Sequence, residues 1–262
     1  MRKASTLLWL TFPLALLAAC SGDDKNSSGS PGDGGSGGGG SGGAAPEAKC
    51  SDQIFMGLNL QADIAKGMVS NTADGPGWIS TIDATAGGSF NPDPDSYTYG
   101  KFTDMGLQKV DISDENSLDS KDWDIGFRRF VIRINSGNSG PSTVKAATVG
   151  KIADYEMLTS VPASAMFNDD IYFDDACMLI QDNSGLPGSP ATALHSYWEY
   201  PMGCLKMTGD VFMLELADKK HVKLSVLDYY NPDVQTQCDT TGMIPMMGSG
   251  AANLRVRWAL VP

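Results

Sequence analysis

Between Ser21 and Lys49 the chain is nearly all Gly, Ser, Asp, Ala and Pro, with almost no apolar area to bury. A stretch of this kind stays a flexible tether, and its 29 residues reach on the order of 30 Å. The core must therefore be supplied by residues 50–262, a length that suits one domain with a sizeable interior. Within the tether, Gly34-Gly35-Ser36-Gly37-Gly38 spells the G-x-S-x-G pattern of a hydrolase nucleophile elbow. That elbow needs a strand before it and a helix after it. Here both flanks are glycine-rich, so the match carries no chemistry.

Ahead of the tether, Arg2 and Lys3 precede an apolar run from Leu7 to Leu17, too short to span a bilayer as a helix. The run ends in Leu17-Ala18-Ala19-Cys20, which resembles a bacterial lipobox. The resemblance implies a signal peptide over residues 1–19, cleavage before Cys20 and fatty acylation (palmitate) of that thiol. An ordinary secretory signal with an incidental cysteine is the alternative. Lipid attachment would anchor the chain to a membrane without spanning it. Ser21, rather than Asp, follows the cysteine and resembles the outer-membrane lipoprotein pattern. The expected location is thus the outer membrane or cell surface, with residues 20–49 as tether and residues 50–262 as the folded domain.

Leader and tether together hold four acids and four bases, so the formal charge of −12 falls entirely on residues 50–262. That acidity argues against nucleic acid and anionic lipid surfaces as partners. The cysteines of the domain are Cys50, Cys177, Cys204 and Cys238, with no C-x-x-C, and its histidines are His195 and His221. A structural zinc site is not expected from that set. Outside the cytoplasm the four cysteines are expected to form one or two disulfides, and the pairing stays open.

Strand signals dominate the domain. Leu254, Val256, Trp258 and Leu260 alternate with Arg255, Arg257 and Ala259, a strand with one buried face. Val211–Ala217 and His221–Tyr229 flank Asp218-Lys219-Lys220 and read as a hairpin. Tyr97–Phe102 and Leu107–Ile112 read as another. From Asp122 to Asn135, Trp123, Ile125 and Phe127 are odd-numbered, whereas Phe130, Ile132 and Ile134 are even-numbered. A period-two strand cannot keep both sets on one face unless its parity is reset. This predicts a β-bulge near Gly126–Arg129, the alternative being a strand buried on both faces. Trp123 is expected in the core. The run from Asn135 to Pro141 is turn-rich. Helical signal is thin: Lys151–Leu158 has room for two turns, and Gln61–Val69 is ambiguous. The fold class is therefore mostly β, antiparallel, with little helix.

Acidic residues crowd Asn168-Asp169-Asp170, Asp174-Asp175 and Asp93 with Asp95. Carboxylates suit calcium, but EF-hand spacing is lacking, and these acids read as solvated loop residues. No Ser-His-Asp arrangement is recognisable. Twelve methionines follow the leader, with Met166, Met178, Met202, Met207 and Met213 in one stretch and Met243, Met246 and Met247 near the end. Methionine usually fills gaps in cores, yet thioethers are also soft ligands for copper(I) and axial ligands for haem iron.

Asp122-Trp123-Asp124-Ile125-Gly126-Phe127-Arg128-Arg129, running into Ile132-Arg133-Ile134-Asn135-Ser136-Gly137 and Ser139-Gly140, resembles the HmuY family of haem-binding lipoproteins. Val211-Phe212-Met213-Leu214 with Asp218, then Lys223 to Tyr230, resembles that family's penultimate hairpin, and Asn253–Leu260 its closing strand. The resemblance covers roughly Ser96 to Pro262. It implies an all-β fold that grips haem between two axial side chains. Tyr197-Trp198-Glu199-Tyr200-Pro201-Met202-Gly203 fits the context of one family ligand, a histidine, with Met202 in its place. The other ligand would fall between Val161-Pro162 and Tyr197, where Met178 is the choice and Met166 or His195 are rivals. Tyr197, Trp198, Tyr200 and Phe173 would wall the porphyrin, and a Lys or Arg would meet its propionates. The implied function is capture of haem and transfer to an outer-membrane transporter, without enzymatic activity. Two other classes compete: the same scaffold serving another ligand or protein contact, and a hydrolase with two aspartates of raised pKa in one pocket.

Overall fold

The structure, a computed structural model, describes residues 50–87, 95–201 and 203–262. The expected leader and tether with Cys20, together with Asp93 and Met202, lie outside the described residues. Twelve strands are named in chain order: β1 (Val69–Asp74), β2 (Gly77–Asp83), β3 (Thr98–Thr103), β4 (Gly106–Val110), β5 (Ile125–Arg128), β6 (Val131–Ile134), β7 (Lys145–Lys151), β8 (Trp198–Glu199), β9 (Lys206–Met207), β10 (Asp210–Glu215), β11 (His221–Asp228) and β12 (Asn253–Val261). The α-helices are α1 (Ser51–Gly57), α2 (Asp114–Ser117) and α3 (Pro232–Thr241). Every strand pairing is antiparallel, and the protein is mostly β.

A six-stranded sheet runs in the order β1-β2-β12-β11-β10-β7, and a four-stranded sheet in the order β4-β3-β5-β6. Both hairpins read from alternation form, β3 with β4 and β10 with β11. In the centre of the large sheet, Leu224 lies opposite Trp258 and Val226 opposite Val256. Their buried faces meet Ile125, Phe127, Ile132 and Ile134 of the small sheet in the first core cluster. Phe102 and Trp258 join the two sheets edge-to-face, with ring centroids 4.8 Å apart. Asn71 of β1 laces their margins, donating to the Leu107 carbonyl and accepting from the Leu107 N–H, both at 3.0 Å. The opposite face of the small sheet is also buried. There Tyr97, Tyr99 and Trp123 pack with Ile54, Leu58, Tyr172 and Phe173 in a second cluster. Gly126 is required at this face, since a Cβ there would stand 2.8 Å from the Tyr99 ring.

The parity change from Asp122 to Asn135 is not a bulge. It is a tight hairpin, with Arg128 paired to Val131 across an Arg129-Phe130 turn. Ile125 faces Ile134 and Phe127 faces Ile132. Residues directly opposite in an antiparallel pair share a face, so the turn itself exchanges odd for even. Arg129 takes φ +54° there, the left-handed region usually left to glycine or asparagine. The Lys151–Leu158 expectation becomes a 3-10 helix over Ile152–Met157. The strands β1, β2 and β7 and the helices α1 and α3 were not legible as elements. α3 nevertheless starts with proline at its first position and stops at left-handed Gly242, both standard boundary signals. The structure pairs Cys50 with Cys177 and Cys204 with Cys238.

Arg133, fully buried, projects from β6 into the second cluster. It donates to the Tyr99 hydroxyl at 2.9 Å, to the Ser139 carbonyl at 2.8 Å and to Ser139 Oγ at 3.2 Å. Its guanidinium lies 4.9 Å from the Tyr97 ring centroid. Two buried carboxylates stand one hydroxyl away. The Tyr99 hydroxyl donates to Asp114 at 2.7 Å, and Ser139 Oγ donates to Asp170. Removing the cation would leave Asp170 without a cation nearby and Asp114 with Arg128 alone, at 3.5 Å, in the protein interior. Arg133→Ala is expected to cost about 3–5 kcal/mol in urea unfolding of the oxidised protein. A loss below about 1 kcal/mol would show that neither acid relies on it.

Candidate functional site

The segments expected to carry the ligands are held by one carboxylate. Asp170 accepts the Ile134 N–H at 3.2 Å, the Ala193 N–H at 2.6 Å and the Ser139 hydroxyl. Its own carbonyl accepts the Asn138 N–H at 2.8 Å, and Asn138 Oδ1 in turn takes the N–H groups of Tyr172 and Phe173. The expectation of solvated acids fails here, because Asp170 is fully buried. Burial raises its pKa to about 6, more than the Ser139 bond, the backbone donors and Arg133 lower it.

From Asp170 the chain leaves through Phe173, which bridges to Leu179 around an Asp174 turn, and Asp174 Oδ1 holds the Met178 N–H at 2.9 Å. Gln181 bridges to Pro190, so residues 173–190 return on themselves. Ala193 brings the chain back to Asp170 just before the short 3-10 turn His195–Tyr197 and β8.

The structure brings Tyr197, Trp198 and Tyr200 together on the first core cluster. Tyr197 is buried and its hydroxyl donates to the Phe130 carbonyl at 2.8 Å. Trp198 is buried with its ring centroid 5.1 Å from that of Phe130. Tyr200 is half-buried, and its N–H donates to the Ser184 carbonyl at 2.7 Å. His195 is half-buried with Nδ1 2.6 Å from the Thr192 carbonyl, which assigns its proton to that nitrogen. Met178 is 65% exposed and stands beside the Cys50–Cys177 disulfide. Phe173 lies in the second cluster, and Met166 is exposed. Met202 lies outside the described residues. Gly203 after it abuts the Gly242 carbonyl, and Cys204 is bonded to Cys238.

Phe130, braced by Tyr197 and Trp198, lines a cleft of about 420 Å³ with Leu58, Tyr97, Arg128, Arg129 and Pro190. Arg128 is committed to the structure. It donates to the Asn59 carbonyl at 2.9 Å and to the Leu58 carbonyl, meets Asp114 at 3.5 Å, and lies 4.4 Å over the Tyr97 ring. Arg129 is half-buried, and its guanidinium has no hydrogen bond or ion pair among the described residues. An unpaired cation beside an aromatic wall is notable in so acidic a chain. Both residues belong to the motif read as a strand, where arginine spacing carries no sign that a turn would set one at the edge of a cleft without a hydrogen-bond partner, its charge felt by the Tyr229 and Tyr230 hydroxyls. A second cleft, of about 100 Å³ beside Lys66, Asp83 and Thr98, is too small for a porphyrin. Asp124, Asp170 and Asp228, whose pKa values burial raises, line neither cleft.

Residues 95–242 match the family model of the HmuY protein, more than half the chain, and the chain belongs to the HmuY family. Among solved structures it is similar to a protein assigned as HmuY-like and heme-binding from Bacteroides vulgatus, at 13% identity and TM-score 0.45, covering 72% of this chain and 95% of that one. It is also similar to the apo HmuY analogue of Tannerella forsythia, at 16% identity and TM-score 0.41, covering 76% and 99%. Apo PinO from Porphyromonas gingivitis follows at 12% identity and TM-score 0.37, covering 77% and 99%. A comparison with curated proteins finds no match.

The raised pKa of Asp170 has a direction in stability. Its proton is held more tightly in the folded chain, at about 6, than by the ordinary carboxyl near 3.8. The native state therefore binds more protons between pH 4 and 6, and stability falls as pH rises through that window, by up to about 3 kcal/mol. Asp170→Asn is expected to flatten this part of the pH–stability curve measured by urea unfolding. A variant with the same slope as the parent would assign the effect to other groups.

Proposed function

We propose that the chain is a lipid-anchored haem-binding protein that captures haem and hands it to an outer-membrane transporter. The observation that carries this reading is the pairing of Phe130 with Trp198 beside the unpaired Arg129, within a chain of the HmuY family. Porphyrin is a flat apolar disc with two anionic propionates. It calls for an aromatic slot and at least one guanidinium at the rim. Phe130 and Tyr97 supply the aromatic lining of the cleft, Tyr197 and Trp198 brace Phe130 from behind, Tyr200 stands outside the lining, and Arg129 is the candidate propionate partner. Met202 is the first axial ligand in this proposal and Met178 the second, with Met166 and His195 as rivals. Thioether ligation favours ferrous iron and raises its reduction potential. Cys20 carries the lipid, residues 1–19 are removed, and residues 20–49 tether the domain of residues 50–262 at the outer membrane or cell surface. No enzymatic step is part of the proposal.

The position of Met178 beside the other cluster favours one second reading. In it the same scaffold holds a different anionic aromatic ligand, gripped by Arg129 and Phe130 alone.

Haem titration of the protein in both oxidation states separates the two. The haem reading expects a red-shifted Soret band that is stronger for ferrous haem. Met202→Ala should abolish or clearly weaken it, and Arg129→Ala should lower affinity about tenfold. Met178→Ala and His195→Ala decide the second ligand. Absence of a Soret shift in the parent protein would overturn haem binding and leave the second reading.

A further inference from the structure

We propose that the loop between α3 and β12 is a copper(I) site made by the thioethers of Met243, Met246 and Met247. The three residues fall within five positions, Met243-Ile244-Pro245-Met246-Met247. They are 65%, 94% and 82% exposed. Methionine normally earns its place by filling gaps in a core, as the fully buried Met213 does here. None of these three packs in that way. Ile244 between them turns inward and packs against the first core cluster.

The loop is pinned at both ends. On the entry side, Gly242 takes a left-handed φ of 73° and donates to the Cys238 carbonyl at 2.8 Å, while Cys238 is bonded to Cys204. The Met243 N–H donates to Thr241 Oγ1 at 3.2 Å. On the exit side, Asn231 donates to the carbonyls of Gly248 at 3.2 Å and Ser249 at 2.9 Å. The backbone is thus fixed by residues other than the methionines, and three flexible arms are left free to converge.

The donor type names the ion. Thioethers are neutral and soft, which suits copper(I) and not calcium, magnesium or zinc. All four cysteines of the described residues are consumed in disulfides, so methionine is the soft donor that remains in quantity. A thioether does not titrate in the physiological range, so binding does not compete with protons as it would at histidine or thiolate. The charge of −12 raises the local concentration of cations around the domain. The other exposed methionines of the described residues, Met56, Met68, Met105, Met157, Met166 and Met178, each stand alone in sequence.

The test is anaerobic titration of the full chain with copper(I) against a chromogenic bicinchoninate competitor. The expected result is one copper(I) per chain, held equally at pH 5 and pH 7, displaced by silver(I) and unaffected by zinc(II) or calcium(II). The triple variant M243L/M246L/M247L keeps the apolar volume and should weaken uptake at least tenfold. The variant M56L/M105L/M157L, which removes as many thioethers elsewhere, should bind as the parent does. Undiminished uptake by M243L/M246L/M247L, or none by the parent, overturns the proposal. None of the residues assigned to haem belongs to this loop, so the two readings fail independently.

Discussion

A guanidinium without a directly bonded carboxylate sits at the centre of this protein. Arg133 is enclosed by the rings of Tyr97 and Trp123, and its countercharges stand behind hydroxyls, Asp114 through Tyr99 and Asp170 through Ser139. A buried ion pair seldom adds net stability over apolar packing, but a buried charge must be compensated once it is present. The arrangement therefore works as a constraint: strand β6, the turn after it, α2 and the 170–172 segment have to meet at one point. Elements far apart in sequence are brought into register by the cost of leaving any one of those polar groups unpaired.

Asp170 extends that constraint towards the candidate site. The segment from Met166 to Tyr200 has few ladder hydrogen bonds of its own and is positioned by side chains that satisfy its backbone. Asn138 and Asp170 hold its first part, and Asp170 again holds the residue that leads into His195 and Trp198. The Arg129-Phe130 turn is braced in turn by the Tyr197 hydroxyl and the Trp198 ring. One continuous set of contacts thus runs from the buried arginine to the aromatic wall of the cleft. The same segment ends near a second anchored region, where the Cys204–Cys238 disulfide fixes the start of the methionine loop.

Much of the sheet structure was legible because alternation reports burial directly. β12, the β10–β11 hairpin and the β3–β4 hairpin were all readable from period-two patterns, and Trp123 was rightly expected inside. β1 was not, since Ser70, Asn71 and Thr72 are exposed polar residues on a sheet edge, and β1 pairs through its backbone. The motif singled out Tyr197, Trp198 and Tyr200, and the structure sets all three on the first core cluster, with Tyr197 and Trp198 buried behind Phe130 and none of the three lining the cleft. Arg129 was missed. It is one of two adjacent arginines, and what distinguishes it is a left-handed backbone at a turn that the alternation had suggested was a bulge.

By itself the sequence determined the chain's class, an acidic, antiparallel β domain over residues 50–262 with its family likeness, and set the expectation of a leader and tether ahead of it. These depend on composition and on near-neighbour periodicity, which act locally along the chain. Only the tertiary structure decided which cysteines join, that Asp170 is interior and not solvated, and that Arg129 opens on a cleft while Arg128 closes on Asp114. Each of those outcomes turns on residues tens of positions apart competing for the same buried space and the same hydrogen-bond partners. Local pattern carries no record of that competition, so it becomes visible only once the two sheets and their loops are packed.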